Sequence, residues 1–195
     1  MRLLVATQNS GKQQEIADLL IIPGLQLCFP SDVPEVADLD VTEDGETFVQ
    51  NAERKAKAFA TTSNLLSVAE DTGLQVAALS GDPGVASKRW HTGSDTDRNQ
   101  ALLQRLVGEQ NRAAKFVTVA SLYYPSTGVN HMFVGEMTGT IATQNSGDAG
   151  FGYDPIFVPT GETKTLAELG IERKNAISHR AMAFTQVREY LKNHI

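Results

Sequence analysis

The chain has 195 residues, of which 41% are hydrophobic, enough to bury a sizeable core in a single domain over 1–195 that is expected to be bilobed. Its formal net charge of -6 disfavours a nucleic acid polymer as partner, because such binding draws on clustered Lys and Arg, yet it leaves room for a small anion with a bound metal. Cys28 is the single cysteine, so no internal disulfide can form. No apolar run approaches the roughly 20 residues of a membrane span, so no membrane partner is expected and the cytoplasm is the expected compartment.

Residues 3–6 form a short apolar run of buried-strand type, and the stretch opened by Gly11 and Lys12 carries Ile16, Leu19 and Leu20 at helical spacing. The early polar residues Thr7, Gln8 and Asn9 cut that first run too short for a signal peptide. A second apolar run at 25–29 reads as a strand and precedes a Pro/Asp-rich loop. Over 47–61, Phe48, Ala52, Ala56 and Phe59 share one helical face. Residues 65–69 and 74–79 read as two strands flanking Glu70-Asp71-Thr72-Gly73, followed by a Gly/Pro-rich loop over 80–93 and a helix over 94–107 that Gly108 stops. The stretches 115–124 and 129–142 flank Pro125-Ser126-Thr127-Gly128 as a long hairpin, 156–158 is a strand, and a last helix starts near Ser178. This alternation predicts an α/β fold with a mixed sheet.

Four polar stretches are candidates for chemistry. Thr7-Gln8-Asn9-Ser10-Gly11-Lys12 leaves a strand and enters a helix, where open N–H groups and the helix dipole favour an anion; an ordinary capped turn has the same pattern. It is not a Walker A loop, since Gln13 follows the lysine where Ser or Thr would bind magnesium. Glu70 and Asp71 are hard oxygen donors suited to magnesium. Neighbours on a strand face opposite ways, so both reach one ion only if the chain bends, as Gly73 permits; a solvated acidic turn is the alternative. Glu43 and Asp44 lie in an acidic loop that can add a ligand. Gly150-Phe151-Gly152-Tyr153-Asp154 offers tight backbone and two aromatics, as a stacking face for a base or as core. Lys174, His179 and Arg180 form a cationic cluster at the start of the last helix, where positive charge opposes the macrodipole.

In this order the four stretches resemble the inosine/xanthosine triphosphate pyrophosphatase family, whose motifs read approximately Thr-x-Asn-x-x-Lys, Asp-Asp-Ser-Gly, Phe-Gly-Tyr-Asp and Ser-His-Arg. Gly84, Ser87 and Arg89 fit the pattern too, while Glu70, Thr72 and Trp90 stand where many members have Asp, Ser and Tyr. The resemblance implies an elongated mixed β-sheet flanked by helices, two lobes with a nucleotide cleft between them, and a homodimer. It implies magnesium-dependent hydrolysis of inosine, deoxyinosine and xanthosine triphosphates to the monophosphate and pyrophosphate. On that analogy Thr7, Gln8, Asn9, Ser10, Gly11, Lys12 and Thr72 hold the phosphates, and Glu43, Glu70 and Asp71 organise the metal. Asp71 deprotonates the attacking water, while Phe151, Gly152, Tyr153, Asp154, Lys174, His179 and Arg180 hold the base. The alternatives are a related enzyme acting on pyrimidine or modified nucleotides, and a nucleotide sensor without turnover.

Overall fold

The computed structural model describes residues 1–194. In chain order the elements are β1 (Arg2–Val5), α1 (Ser10–Leu19), β2 (Gln26–Cys28), α2 (Phe48–Ser63), β3 (Ser67–Val76) and α3 (Asp95–Arg105), then β4 (Ala113–Tyr123), β5 (Asn130–Ile141), β6 (Phe157–Pro159), α4 (Leu166–Ile177) and α5 (His179–Lys192). One six-stranded sheet has the order β2-β1-β3-β4-β5-β6. β1 runs parallel to β2 and β3, and β5 antiparallel to β6, so the sheet is mixed as the alternation of runs predicts.

Two elements differ from the sequence expectation. The two strands expected on either side of residues 70–73 are one continuous strand, β3. α4 was not anticipated: Gly170 adopts φ 77 within it and interrupts the helix, so its apolar residues never build a sustained 3.6-residue period. Its start is still well specified, with the Thr165 hydroxyl accepting from the Glu168 amide while the Glu168 carboxylate accepts from the Thr165 amide.

The chain forms two compact units, each discontinuous in sequence: residues 1–71, 118–135 and 180 onward, and residues 72–117 with 136–179. In the first unit the period of two along the strands sorts the core. Leu3, Val5 and Val68 pack with Ile16 and Leu19 of α1 and with Phe184, Val187 and Leu191 of α5. Leu4, Ala6 and Ala69, the alternate residues, pack with Ala56, Phe59 and Ala60 of α2. The core of the second unit gathers Leu74, Val76, Leu102, Phe116, Met137, Ile141, Ile156 and Phe157.

Gly139 of β5 lies close against β6 in that second unit. A Cβ there would lie 2.7 Å from the Phe157 ring and would also meet the Val158 carbonyl on the neighbouring strand. Gly139→Ala is expected to lower stability by about 1–3 kcal/mol, because backbone cannot yield as a flexible side chain does. Chemical denaturation checks this; an unchanged midpoint would show that β6 moves away at no cost.

Candidate active site

β3 presents Glu70 and Asp71 in succession, and because the strand stays extended their side chains leave opposite faces. Glu70 follows Val68 toward α1 and α5. Both of its oxygens are engaged by Arg180, with Nε to Oε2 and Nη2 to Oε1 each at 3.0 Å, and Oε1 also lies 2.9 Å from Lys12 Nζ. Arg180 completes its fork on Glu15 of α1. Burial is severe here, with Glu15 2%, Glu70 2% and Arg180 1% exposed. Burial alone would raise the Glu70 pKa, but Arg180 and then Lys12 outweigh it and hold the carboxyl well below the usual glutamate range. Burial lowers the Lys12 ammonium from its ordinary value, Glu70 opposing and Lys55 and Arg180 reinforcing the shift. Burial also acts to lower the Arg180 value, but the charges of Glu70 and Glu15 prevail and raise it above the ordinary arginine value.

Asp71 follows Ala69 toward α2. Its Oδ2 accepts from Asn51 Nδ2 at 2.9 Å, and Asn51 Oδ1 accepts from the Gly45 amide at 2.8 Å, so one fully buried amide ties the acidic loop to β3. Gly45 is needed there, since a Cβ would sit 2.6 Å from Asn51 Oδ1. Lys55, one helical turn further along α2, reaches Glu43 Oε1 at 2.5 Å, and Arg54 pairs with Asp44. Burial pushes the Asp71 pKa up; Lys55 and Asn51 pull against it, and the Glu43 charge adds to the rise.

The turn into α1 is capped by Asn9, whose Oδ1 accepts from the Lys12 amide at 3.1 Å. Thr7 Oγ1 accepts from the Asn9 amide, and Gln8 Nε2 donates to the Ala37 carbonyl at 3.3 Å. The amides of Ser10 and Gly11 find no acceptor among the described residues, the usual state of a helix start.

In the second unit, residues 150–154 form a tight turn with Gly150 at φ 80 and Gly152 at φ 63. Asp154 Oδ2 closes it by accepting from the Phe151 amide at 2.9 Å, and a Cβ on Gly150 would collide with that carboxylate. Lys174 Nζ lies 2.5 Å from Asp154 Oδ2 and 4.4 Å from the Phe151 ring centroid. Tyr153 points inward and donates to the Ser87 carbonyl at 2.8 Å, and burial raises its pKa to about 12. Of the two aromatics, Phe151 is half-buried while Tyr153 is core. His179 lies flat on Phe116, centroids 4.5 Å apart. Thr72 is half-buried on β3, and Trp90 packs under the Arg105 guanidinium.

Eight of the predicted residues fall into three groups. Lys12, Glu70 and Arg180 form one ion-pair network, Asp71 and Glu43 sit around α2, and Phe151, Asp154 and Lys174 form the turn cluster. Glu70 and Arg180, expected at metal and base respectively, are paired with each other. Glu15, Asn51 and Lys55 were not singled out from sequence. Only their helical registers, which place Glu15 three residues after Lys12 and Lys55 four after Asn51, hinted at them.

The fold and this site define a layered α/β protein with a buried, highly charged centre built on an interior strand. The chain belongs to the Ham1 family, whose model matches residues 3–190. It is 44% identical over 193 residues to a dITP/XTP pyrophosphatase of Symbiobacterium thermophilum, covering 97% of this chain and 94% of that protein. It is 41% identical to one of Aquifex aeolicus, covering 99% and 98%. Among solved structures, the Staphylococcus aureus Ham1 protein matches with TM-score 0.89 and 35% identity over 100% of both chains. A nucleoside-triphosphatase / dITP/XTP pyrophosphatase from Mycobacterium abscessus matches at TM-score 0.76 and 40% identity, covering 96% and 98%.

Glu70→Gln would leave Arg180 and Lys12 buried with one carboxylate fewer, at a cost of about 3–5 kcal/mol. Because the folded pKa of Glu70 lies below its ordinary 4.5, its contribution is present above that value and lost as pH falls toward the folded one. Thermal melts should show the variant destabilised at pH 7 and less acid-sensitive than wild type below pH about 4.5. Parallel melting curves across that range would contradict this assignment.

Proposed function

We propose that the chain is a magnesium-dependent nucleoside triphosphate pyrophosphatase that converts inosine, deoxyinosine and xanthosine triphosphates to monophosphate and pyrophosphate. The observation that carries the reading is Asp71: a buried carboxylate of raised pKa, held by Asn51 beside Glu43 and Lys55. Perturbed carboxylates of this kind cluster at catalytic sites. The relatives named as dITP/XTP pyrophosphatases support the substrate class.

The donor set fits magnesium. Asp71 and Glu43 are oxygen donors; burial raises the Asp71 pKa and the Glu43 charge adds to that rise, a repulsion that a dication relieves. Glu70 is engaged on both oxygens by Arg180 and also by Lys12, so Asp71 and Glu43, the latter from the acidic loop on the same side of β3, are the pair assigned to the metal. When bound, magnesium neutralises the charge that develops on the phosphate oxygens. Asp71 takes the proton of a water that attacks the α-phosphorus, the α–β anhydride bond breaks, and pyrophosphate leaves. Lys12 and the amides of Ser10 and Gly11 at the start of α1 bind the polyphosphate, with Thr7, Gln8 and Asn9 shaping that turn. Glu15 and Glu70 hold Arg180, and Arg180 keeps Glu70 fixed beside Lys12.

On the base side, Phe151 offers the aromatic face, and Lys174 and His179 supply donors suited to the C6 oxygen of hypoxanthine and xanthine. Adenine presents an amino group there, and each unmatched buried donor costs about 1–3 kcal/mol. The protein is read as a cytoplasmic homodimer, on the family resemblance and on exposed Val129, Val134 and Met182. No helix among the described residues is long and apolar enough to cross a membrane.

Asp71→Asn should melt close to wild type yet lose about 100-fold or more in turnover of inosine triphosphate. Chelation should abolish wild-type activity and magnesium restore it, with pyrophosphate as the product. Turnover of Asp71→Asn within a few-fold of wild type, activity surviving exhaustive chelation, or equal kcat/KM for inosine and adenosine triphosphates would each contradict the proposal.

A further inference from the structure

We infer that Asp95 and Asn99, on the first turns of α3, are positioning residues for base recognition, acting through the Gly152 backbone. The inference rests on the reading of the 150–154 turn as the base site. Asp95 Oδ2 accepts from the Gly152 amide at 2.7 Å, and Asn99 Nδ2 donates to the Gly152 carbonyl at 3.0 Å. Residues four apart share one face of a helix, so α3 grips both backbone polar groups of a single residue.

The clamp is itself held. Arg98 pairs with Asp95 and also donates to the Gly93 carbonyl at 3.1 Å, while Asn99 is 2% exposed. The helix start that carries both residues is fixed by a capping box between Ser94 and Asp97. Gly152 needs fixing, because it sits at φ 63, where a glycine has many competing conformations of similar energy. Packing does not fix it. Apart from its chain neighbours, no atom of the described residues lies within 4 Å of where a Gly152 Cβ would stand, and a cavity of about 280 Å³ lined by Asp95, Asn99, Asn145, Asp148 and Phe151 adjoins the turn. The polar clamp thus sets the direction in which the chain leaves Gly152 on both sides. It thereby sets the pitch of the Phe151 ring and the register of Asp154 against Lys174.

The consequence is a division of labour that α3 exerts without touching the base. Loosening the clamp should spoil discrimination between purines while leaving the phosphate side of the reaction intact. Asp95→Ala removes the acceptor, Asn99→Leu removes the donor at similar volume, and Asp95→Asn retains an oxygen for the Gly152 amide as the conservative control. The Asp95 side chain is 45% exposed, so Asp95→Ala keeps the test valid even if Asn99→Leu does not fold.

The experiment measures kcat and KM for inosine and adenosine triphosphates, inhibition by inorganic tripolyphosphate with magnesium, and melting temperature, in wild type and the three variants. Asp95→Ala and Asn99→Leu should shrink the preference for inosine over adenosine triphosphate by about tenfold, mainly through a higher KM for the former. Tripolyphosphate inhibition should stay within a factor of about two of wild type, and Asp95→Asn should keep most of the preference, since it keeps an oxygen acceptor for the Gly152 amide. An unchanged preference in Asp95→Ala, or a parallel loss of tripolyphosphate inhibition, would overturn the clamp. A wild-type enzyme with no preference between the two nucleotides would instead overturn the base-site reading on which it stands.

Discussion

Adjacent side chains on an extended strand leave opposite faces, and in β3 that constraint divides the charged centre in two. Glu70 turns toward α1 and α5, where Lys12, Arg180 and Glu15 complete a buried network. Asp71 turns toward α2, where Asn51, Lys55 and the Glu43 loop surround it. The same alternation that sends Val68 and Ala69 into separate cores sends the next two residues into separate electrostatic environments. One carboxyl is driven down and the other up, although they are neighbours in the chain. Opposite shifts of this kind commonly mark distinct chemical roles within one site.

The network around Glu70 answers a question posed by the net charge. An acidic chain that handles a polyphosphate must concentrate cations locally and keep them from binding its own carboxylates indiscriminately. Here Glu15 and Glu70 absorb the Arg180 charge almost completely, whereas Lys12, 21% exposed at its side chain, keeps a route to solvent at the turn into α1. Buried ion pairs of this sort contribute little net stability compared with apolar packing, and their value lies in fixing geometry. In the proposed reaction that geometry is the placement of Lys12 beside the open amides of the helix start.

Much of this was legible in the sequence, for identifiable reasons. The apolar runs of β1 and β2 and the Phe48, Ala52, Ala56, Phe59 spacing of α2 are strong periodic signals, and they are where the elements lie. Glu70-Asp71-Thr72-Gly73 misled, because acidic residues before a glycine carry the local chemistry of a turn. Flanking apolar residues and pairing with β1 override that preference and keep the strand extended. α4 was missed because Gly170 breaks its period. The partners of the site, Glu15, Asn51 and Lys55, lie 12 to 165 residues from the groups they bind, a distance that helical register alone does not bridge. The resemblance implies that Arg180 holds the base; in the structure its guanidinium pairs with Glu15 and Glu70, partners that no local sequence pattern announces.

The central step of the proposed reaction is a water activated at Asp71 and delivered to the α-phosphorus. Hydrolysis of inosine triphosphate in ¹⁸O-enriched water, with both products resolved by mass spectrometry, tests that step directly. One heavy oxygen is expected in inosine monophosphate and none in the pyrophosphate. Label in pyrophosphate, or release of labelled orthophosphate as the primary product, would place the attack on another phosphorus and contradict it.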